Sequence, residues 1–480
     1  MTERALAAKL YIMGNDLRLE HLPLDIIYEI LGCLSAGDII RTRRVCRRLW
    51  SATFQQSVWG SAYKLSDLLL PDESLLTHST KQLELCLVRA EKLHLNWTSS
   101  EPQPKVQRRF PRTLPVYNFD AGVISGRYLQ VAEHNGISWY DLDLGDTQRP
   151  IMTYPCLNTF PTSGYLNFCE NANGEGSDVV WVSFLTHSPR KICILKATFG
   201  NNGPKVQLHT EIKARNVTAV QMGYDWLLPV REFGSQNGLM DFFHIPSCST
   251  MYFPMHEKVQ NLSDLSNMKF AITPRFLFLM FPLRNETLVD VYPLPMLSGT
   301  LLPGATPKLL ARSHYGIYPH AISDIRVMAD PLPSRPFDES KCHTPSKTGS
   351  ISFLALVYLK RSPTWTSKIG LHVLDAIVDP IQTLSFITRC GTILNVGMVT
   401  TSLALSARAG TCLAVTHSSP GPIIMAHYIL KHQDSTYTMS VKPIKCHKEL
   451  KSRQMLSFDG VRGRLCLING WTYIDILDFA

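Results

Sequence analysis

Apolar residues in the first hundred positions recur with the spacing of an α-helix. Residues 22–34 carry one apolar stripe at positions i, i+3, i+4 and i+7, formed by Ile27, Ile30, Leu31 and Leu34. Pro23 stands where a helix tolerates a first-turn proline. Acidic residues follow it near the positive end of the helix dipole. The pattern predicts a helix over this segment.

Further helical segments are predicted before residue 100. Ser35 and Asp38 have the spacing of a capping box, and residues 41–54 continue helically with room for a break. Five arginines cover the polar surface of that segment: Arg41, Arg43, Arg44, Arg47 and Arg48. A second box, Ser79 with Gln82, precedes a helix. Its predicted buried face contains Leu83, Cys86, Leu87, Ala90 and Leu93.

From residue 116 onward the helical spacing fades, and short β-prone runs separated by turn residues replace it. The runs are 128–131, 136–140, 179–185, 191–195, 275–279, 287–292, 351–358, 370–374, 411–415 and 464–468. Many short strands joined by turns predict a sandwich, a barrel or a propeller.

A weak repeat favours the propeller. In residues 125–143 and again in 463–478, a strand and a turn are followed by a second strand that ends in aspartate. Residues 287–292 and 369–375 resemble this second strand. The fold class predicted is therefore an N-terminal all-α region followed by an all-β domain, a β-propeller of about seven blades. Closure is predicted between a strand near 116–123 and the final sheet near 465–477.

These patterns divide the chain into segments. Residues 1–19 are predicted to be a tail, 20–57 a helical motif, 58–97 a helical extension, and 116–480 the β-domain. The segment 98–115 contains four prolines and scattered basic residues, which predicts an extended linker. A further proline-rich stretch, 330–350, is interpreted as a mobile loop inserted in the propeller.

Composition is that of a globular protein, with 45% hydrophobic and 18% charged residues. The net charge of +9 is mild over 480 residues. Nucleic-acid binding is therefore not expected, because it needs charge concentrated on one face. The arginine run is interpreted as a solvated face rather than a DNA-reading helix, which would also carry polar base-reading residues.

The cysteines and the N-terminus favour an intracellular location. None of the 12 cysteines forms a CxxC pair, and Cys193, Cys412 and Cys466 lie in apolar runs, as buried reduced cysteines do. No signal peptide is recognisable, and the most apolar stretch, 276–283, is too short to span a bilayer. We expect the cytosol, the nucleus or both, and no membrane.

The ordered pattern in residues 22–47 closely resembles the F-box. Leu22-Pro23, the helix starts, Asp25, Asp38 and the element Val45-Cys46-Arg47 all stand at the expected places. The stretch 71–97 is also similar to the segment that follows the F-box in many fungal members. The alternative is that these helices form the core of an ordinary α-domain.

The resemblance implies a partner and a role. F-box helices dock onto a Skp-type adaptor, which links to a cullin scaffold, so the chain is expected to be a substrate receptor of an SCF-type ubiquitin ligase with its target protein on the β-domain. The contact set implied for the adaptor is Leu22, Pro23, Ile27, Ile30, Leu31, Leu34, Ile39, Val45 and Trp50.

Motifs for chemistry are mostly missing from the sequence. We find no phosphate-binding loop, nucleophile elbow or dinucleotide fingerprint. His256-Glu257 lacks the second histidine of a zinc-protease motif, and Cys342-His343 and Cys446-His447 are adjacent pairs rather than ligand sets. No enzyme activity, catalytic residue, cofactor or metal is therefore expected.

Two alternatives remain open. The first is a propeller hydrolase with a fortuitous F-box match, in which Asp375 and Asp379, or Asp475 and Asp478, act as acid and base. The second is an F-box scaffold that works outside ubiquitination. The aromatic residues Trp181, Tyr224, Trp226 and Trp365 are candidates for a recognition surface or for blade core.

Overall fold

Helices occupy the first hundred residues and strands the remainder, as the pattern predicts. The computed structural model describes residues 22–66, 68–70, 79–111, 121–124, 126–133, 136–144, 149–155, 167–170, 179–186, 189–200, 203–223, 225–231, 239–254, 268–272, 276–282, 287–293, 309–315, 322–327, 349–361, 367–378, 384–396, 402–408, 411–417, 423–431, 436–444, 453–469 and 473–480. Two compact units result, one ending at Thr98 and one beginning at Ser99.

Local capping positions the helices as the sequence predicts. The helices are α1 (Leu24–Gly32), α2 (Ala36–Thr42), α3 (Arg47–Ala52), α4 (Gln56–Leu65) and α5 (Thr80–Thr98). The Asp38 N–H donates to Ser35 Oγ at 3.1 Å at the start of α2. Ser79 and Gln82 exchange reciprocal hydrogen bonds before α5. Both predicted caps are confirmed, the one before α5 as a full capping box and the one before α2 by Ser35 alone. The break predicted within 41–54 separates α2 from α3.

All five helices share one core. Its buried residues are Ile27, Leu31, Ala36, Ile39, Leu49, Ala52, Val58, Trp59, Ala62, Tyr63, Leu70, Leu83, Leu87 and Ala90. The predicted helical extension is therefore part of the same unit as α1–α3 and not an appendage. Trp59 is fully buried, and its indole N–H donates to the Thr53 carbonyl at 2.6 Å.

The strands form seven four-stranded sheets among the described residues. Sheet 1 contains β2 (Ala121–Ile124), β3 (Tyr128–Glu133), β4 (Gly136–Asp141) and β5 (Met152–Pro155). Sheet 2 contains β6 (Asn167–Glu170), β7 (Val179–Leu185), β8 (Lys191–Gly200) and β9 (Gly203–Lys213). Sheet 3 contains β10 (Val217–Gly223), β11 (Trp226–Arg231), β12 (Leu239–His244) and β13 (Ser249–Pro254).

The later sheets repeat this arrangement. Sheet 4 contains β14 (Lys269–Ile272), β15 (Phe276–Pro282), β16 (Thr287–Pro293) and β17 (Ala311–Tyr315). Sheet 5 contains β18 (Ile322–Val327), β19 (Gly349–Arg361), β20 (Ser367–Val378) and β21 (Leu384–Val396). Sheet 6 contains β22 (Ser402–Arg408), β23 (Thr411–His417), β24 (Ile423–Lys431) and β25 (Thr436–Pro443). Sheet 7 contains β26 (Arg453–Asp459), β27 (Arg464–Asn469), β28 (Tyr473–Asp478) and β1 (Val106–Pro111).

The sheets succeed one another in a closed ring, which defines a β-propeller. Every described strand pairing is antiparallel, and the first strands of sheets 2 to 7 touch in succession. Sheet 1 closes the ring, because β2 touches β26 of sheet 7 and β5 touches β9 of sheet 2. Apolar clusters fill the spaces between neighbouring sheets: one joins sheets 3 and 4, and another joins sheets 7 and 1. In sheet 4 both faces of β15 are buried, since the side chains of residues 277–281 all lie in the core, which explains why the run 276–282 is continuously apolar.

The closing strand corrects two predictions. Closure is made by β1, whose residues Val106 to Pro111 pair with Asp478 to Tyr473 of β28. The predicted closing strand near 116–123 was wrong, since Ala121–Ile124 is the first strand of sheet 1. The linker prediction for 98–115 was wrong for residues 106–111, because the arginines that suggested a linker bind aspartates of β28.

Other boundaries fall partly outside the described residues. The structure does not describe residues 1–19, 112–120 and 330–348. The predicted tail and most of the predicted loop therefore stay untested. Residues 349 and 350 begin β19 rather than ending a loop.

Candidate partner-binding site

The nine predicted contact residues separate into three groups in the helical unit. Ile27, Leu31 and Ile39 are fully buried in its core, where a partner does not reach them in this conformation. Leu22 and Leu34 pack partly buried against that core. The remaining four are exposed: Pro23, Ile30, Val45 and Trp50. The structure thus shows which of the predicted contact residues face the core and which face solvent, a distinction that the motif alone did not make.

Three exposed apolar residues lie before, in and just after α3. Val45 is 70% exposed, Trp50 52% and Phe54 46%, and the Trp50 and Phe54 rings meet edge to face at 4.8 Å. We call these three side chains the α3 surface. Phe54 was not in the predicted set, although its spacing of four residues from Trp50 on a helix was a signal for it.

A groove runs beside this surface. Its volume is about 590 Å³, and it is lined by Arg43, Arg44, Cys46, Arg47, Trp50 and Ser51. Arg44 and Arg47 are exposed there. Apolar side chains flanked by cations suit a partner with an apolar centre and an acidic rim.

The five arginines of this segment do not share one role. Arg41 pairs with Asp38 at 2.6 Å, and Arg48 donates to the Leu22 carbonyl at 2.7 Å. Arg43 is different, since its side chain is only 17% exposed and bridges to Glu84 of α5. The prediction of a solvated face therefore holds for four arginines and was wrong for Arg43.

The α1 surface offers a second, smaller exposed apolar group. Leu24 is 44% exposed and Ile30 36%. Pro23 stands immediately before α1 as its N-terminal cap residue, one position earlier than predicted.

In the propeller, two of the candidate acid–base residues take part in ion pairs with arginines. Arg109 Nε donates to Asp475 Oδ1 at 3.0 Å. Asp478 accepts from Arg108 at 2.7 Å and from Arg464 at 2.6 Å. These contacts hold β1, β27 and β28 together. The side chain of Asp375 and all of Asp379 lie outside the described part of the chain.

The candidate recognition aromatics are core residues where they are described. Trp181 is 5% exposed and donates to Asp225 at 2.8 Å, and Trp226 is 4% exposed in the core between sheets 3 and 4. Tyr224 and Trp365 lie outside the described residues.

Two cysteines confirm the prediction of buried thiols. Cys193 and Cys466 are buried thiols, and burial raises the pKa of the Cys466 thiol to about 12. The side chain of Cys412 is not among those described. The described residues hold no group of three side chains suited to a metal ion. The pairs at 256–257, 342–343 and 446–447 fall outside them. No helix in the described ranges is both long enough and apolar enough to cross a membrane.

Comparison with known proteins agrees with the helical unit's architecture. The family model described as F-box-like matches residues 19–64. No curated protein matches the sequence.

Solved structures with similar folds resemble the chain only distantly. The WD40 domain of SCAP from fission yeast is 12% identical, with a TM-score of 0.41 over 76% of this chain and 85% of that one. The WD40 domain of Toxoplasma gondii coronin is 10% identical, with a TM-score of 0.39 over 79% and 87%. Drosophila Plexin A, in complex with Semaphorin 1b, is 8% identical, with a TM-score of 0.43 over 80% and 88%.

The propeller assignment itself rests on strand order and on the ring of sheet contacts. Together with the family match, these observations establish that the chain carries an F-box-like domain at residues 19–64, followed by a β-propeller.

Proposed function

We propose that this chain is a substrate-recognition adaptor of an SCF-type ubiquitin ligase. Its helical unit binds a Skp-type adaptor and, through it, a cullin scaffold, while the propeller binds a target protein. The observation that carries the proposal is the α3 surface within an F-box-like domain. Val45, Trp50 and Phe54 stay exposed although the same unit buries an ample core.

The energetics of the α3 surface favour a partner. Burying a large apolar side chain contributes about 1.5–3 kcal/mol, and aromatic residues dominate the binding energy of many interfaces. The exposed Arg44 and Arg47 beside Trp50 add electrostatic attraction for an acidic partner, which raises the association rate.

The catalytic contribution of such an adaptor is proximity. Holding a target beside a charged conjugating enzyme turns transfer into an effectively intramolecular event, with an effective concentration on the order of millimolar for a short tether. In this proposal the chain performs no bond chemistry of its own. It acts in the cytosol or nucleus, where cysteines such as Cys193 and Cys466 stay reduced.

Co-purification with a Skp-type adaptor tests the proposal. The variant Val45→Asp/Trp50→Ala removes the apolar centre of the α3 surface from positions that the helical core does not use, so folding should survive. We expect a wild-type complex and at least tenfold weaker binding by the variant, since the loss of about 1.4 kcal/mol is tenfold in affinity.

Leu85→Asp is the matched control. Leu85 is also an exposed apolar residue, at 59%, but it lies on α5. Its variant should bind like the wild type. A well-folded wild-type protein that binds no adaptor would refute the proposal. Adaptor binding without cullin recruitment would reduce the chain to a scaffold.

A further inference from the structure

The α3 surface is tied to α5 by one ion pair. Arg43 donates from Nη1 to Glu84 Oε1 at 2.8 Å and from Nη2 to Glu84 Oε2 at 2.7 Å. Both side chains are largely shielded, at 17% and 22% exposed. A bidentate pair of this kind fixes the plane of the guanidinium as well as its position.

The other side of the same guanidinium holds the residues of the α3 surface. Arg43 Nε donates to Thr53 Oγ1 at 3.0 Å, and the Thr53 hydroxyl donates to the Trp50 carbonyl at 2.8 Å. The guanidinium carbon lies 4.6 Å from the centre of the Phe54 ring, within cation–π range. Phe54 in turn contacts Trp50. A continuous chain of contacts therefore runs from Glu84 to Trp50.

Glu84 lies outside the F-box-like match, which ends at residue 64. The same helix carries a second inward carboxylate, Glu91. It accepts from the backbone N–H groups of Ala36 at 2.6 Å and Gly37 at 2.9 Å, at the start of α2. The two glutamates thus come from one helix but act on different places: Glu84 binds Arg43, and Glu91 binds the backbone at the start of α2.

We infer that Glu84 is a positioning residue for partner docking, acting through Arg43 on Phe54 and Trp50. The inference rests on the proposed function and deepens it, because it extends the docking determinants into α5. Without the carboxylate, Arg43 keeps its charge but loses the anchor that holds it over Phe54, and the two rings become free to leave their docking arrangement.

The test uses the full chain and a Skp-type adaptor. Glu84→Gln keeps the size of the side chain while removing its charge and one acceptor oxygen. We expect about tenfold weaker adaptor binding, the size of effect typical for one hydrogen bond to a charged group. Arg43→Lys, which keeps the charge but loses the bidentate fork, should give the same loss and serves if Glu84→Gln folds poorly.

Glu91→Gln is the matched control. It makes the same chemical change on the same helix and weakens the start of α2, so its melting temperature should fall while adaptor affinity stays within about twofold of wild type. In a Phe54→Ala background, Glu84→Gln should have no further effect on affinity, because the ring through which it acts is gone.

A second readout needs no adaptor. In protein labelled with 5-fluorotryptophan, the Trp50 resonance among the eight tryptophans is assigned with Trp50→Phe. It should shift or broaden in Glu84→Gln and stay unchanged in Glu91→Gln. If wild type binds no adaptor, the proposed function fails, and this spectrum still decides whether Glu84 positions Trp50.

Three results would overturn the inference. One is an unchanged Trp50 resonance with unchanged affinity in Glu84→Gln. Another is an equal loss of affinity in Glu84→Gln and Glu91→Gln, which would indicate a general loss of stability. The third is an undiminished effect of Glu84→Gln in the Phe54→Ala background.

Discussion

Single charged residues inside the propeller act mostly through a partner on a neighbouring strand. Asp290 of β16 and Asp475 of β28 are both fully buried and occupy the same place in the third strand of their sheets, opposite Leu279 and Leu467 of the second strand. Each accepts from the arginine directly opposite on the outer strand, Arg312 at 2.6 Å and Arg109 at 3.0 Å. The repeated aspartate is therefore a bracing residue within a sheet rather than a turn residue.

His244 is a buried titratable group at the end of β12. It is 3% exposed, its Nδ1 lies 2.6 Å from Ser247 Oγ, and its ring packs on Trp226. Burial lowers the pKa of His244 below its ordinary value, and the nearby Asp225 opposes the shift only in part. The folded protein therefore holds this imidazole neutral at a pH where the unfolded chain is already protonated.

We predict that His244 makes the propeller less stable in mild acid. Because the folded pKa is depressed, stability is full above the unfolded value near 6.5 and declines as pH falls toward the folded value. Between pH 7 and 5.5 the loss should be at most about 1.3 kcal/mol.

Urea unfolding of wild type and His244→Asn at pH 7 and at pH 5.5 measures this loss of stability. Asparagine keeps a polar group near Ser247 but does not titrate, so the difference isolates one histidine among the 16. An identical pH dependence in the two proteins would contradict the prediction.

At the scale of elements, the closing strand β1 joins the two ends of the propeller's chain by its pairing with β28. β1 supplies Phe110 to the core between sheets 7 and 1 and Arg109 to the buried Asp475. The seam between the two sheets also holds Arg464, which is 4% exposed and donates to Asp478, to the Gly126 carbonyl and to Asp143. Closure thus combines backbone pairing, apolar packing and buried charge.

Two truncations test the corrected domain boundary. A chain of residues 99–480 retains β1 and should fold into a complete propeller. A chain of residues 112–480 lacks it, leaves Asp475 without Arg109 and exposes the edge of β28. We expect it to be less stable by at least about 1–3 kcal/mol, the cost of leaving the buried Asp475 carboxylate without the donor that the half-exposed Arg109 provides. Denaturant unfolding monitored by circular dichroism compares them, and equal midpoints would show that β1 is dispensable.

The whole molecule joins two units with separate cores on one chain. In the proposed role, the covalent link between the two units keeps a target bound to the propeller close to the ligase that the helical unit binds. The lysines of the chain itself are held there as well.

This predicts ubiquitin transfer to the chain itself in a reaction reconstituted with the adaptor, cullin and conjugating enzyme. Transfer should depend on docking to the adaptor. When the adaptor concentration is below the dissociation constant of the wild-type complex, Val45→Asp/Trp50→Ala should therefore lower the rate of transfer at least tenfold. Gel analysis of the chain, with Leu85→Asp as control, measures the effect. Equal modification of all three proteins would mean that tethering is not required.

Local interactions explain what the sequence determined by itself. The apolar stripe of α1, the two capping boxes and the continuous apolar strands depend on residues close together in the chain, so the helices, most strands and the propeller class were predictable. The F-box-like motif was recognisable for the same reason. Its residues are contiguous.

The tertiary structure decided the contacts between distant residues. Arg109 meets Asp475 across 366 positions and Arg43 meets Glu84 across 41, so neither the closing strand nor the anchor of the docking surface was visible in the local pattern. The arginines of β1 resembled a linker, and Arg43 resembled its solvated neighbours. A charged residue becomes a core residue only when folding brings its counterion to it.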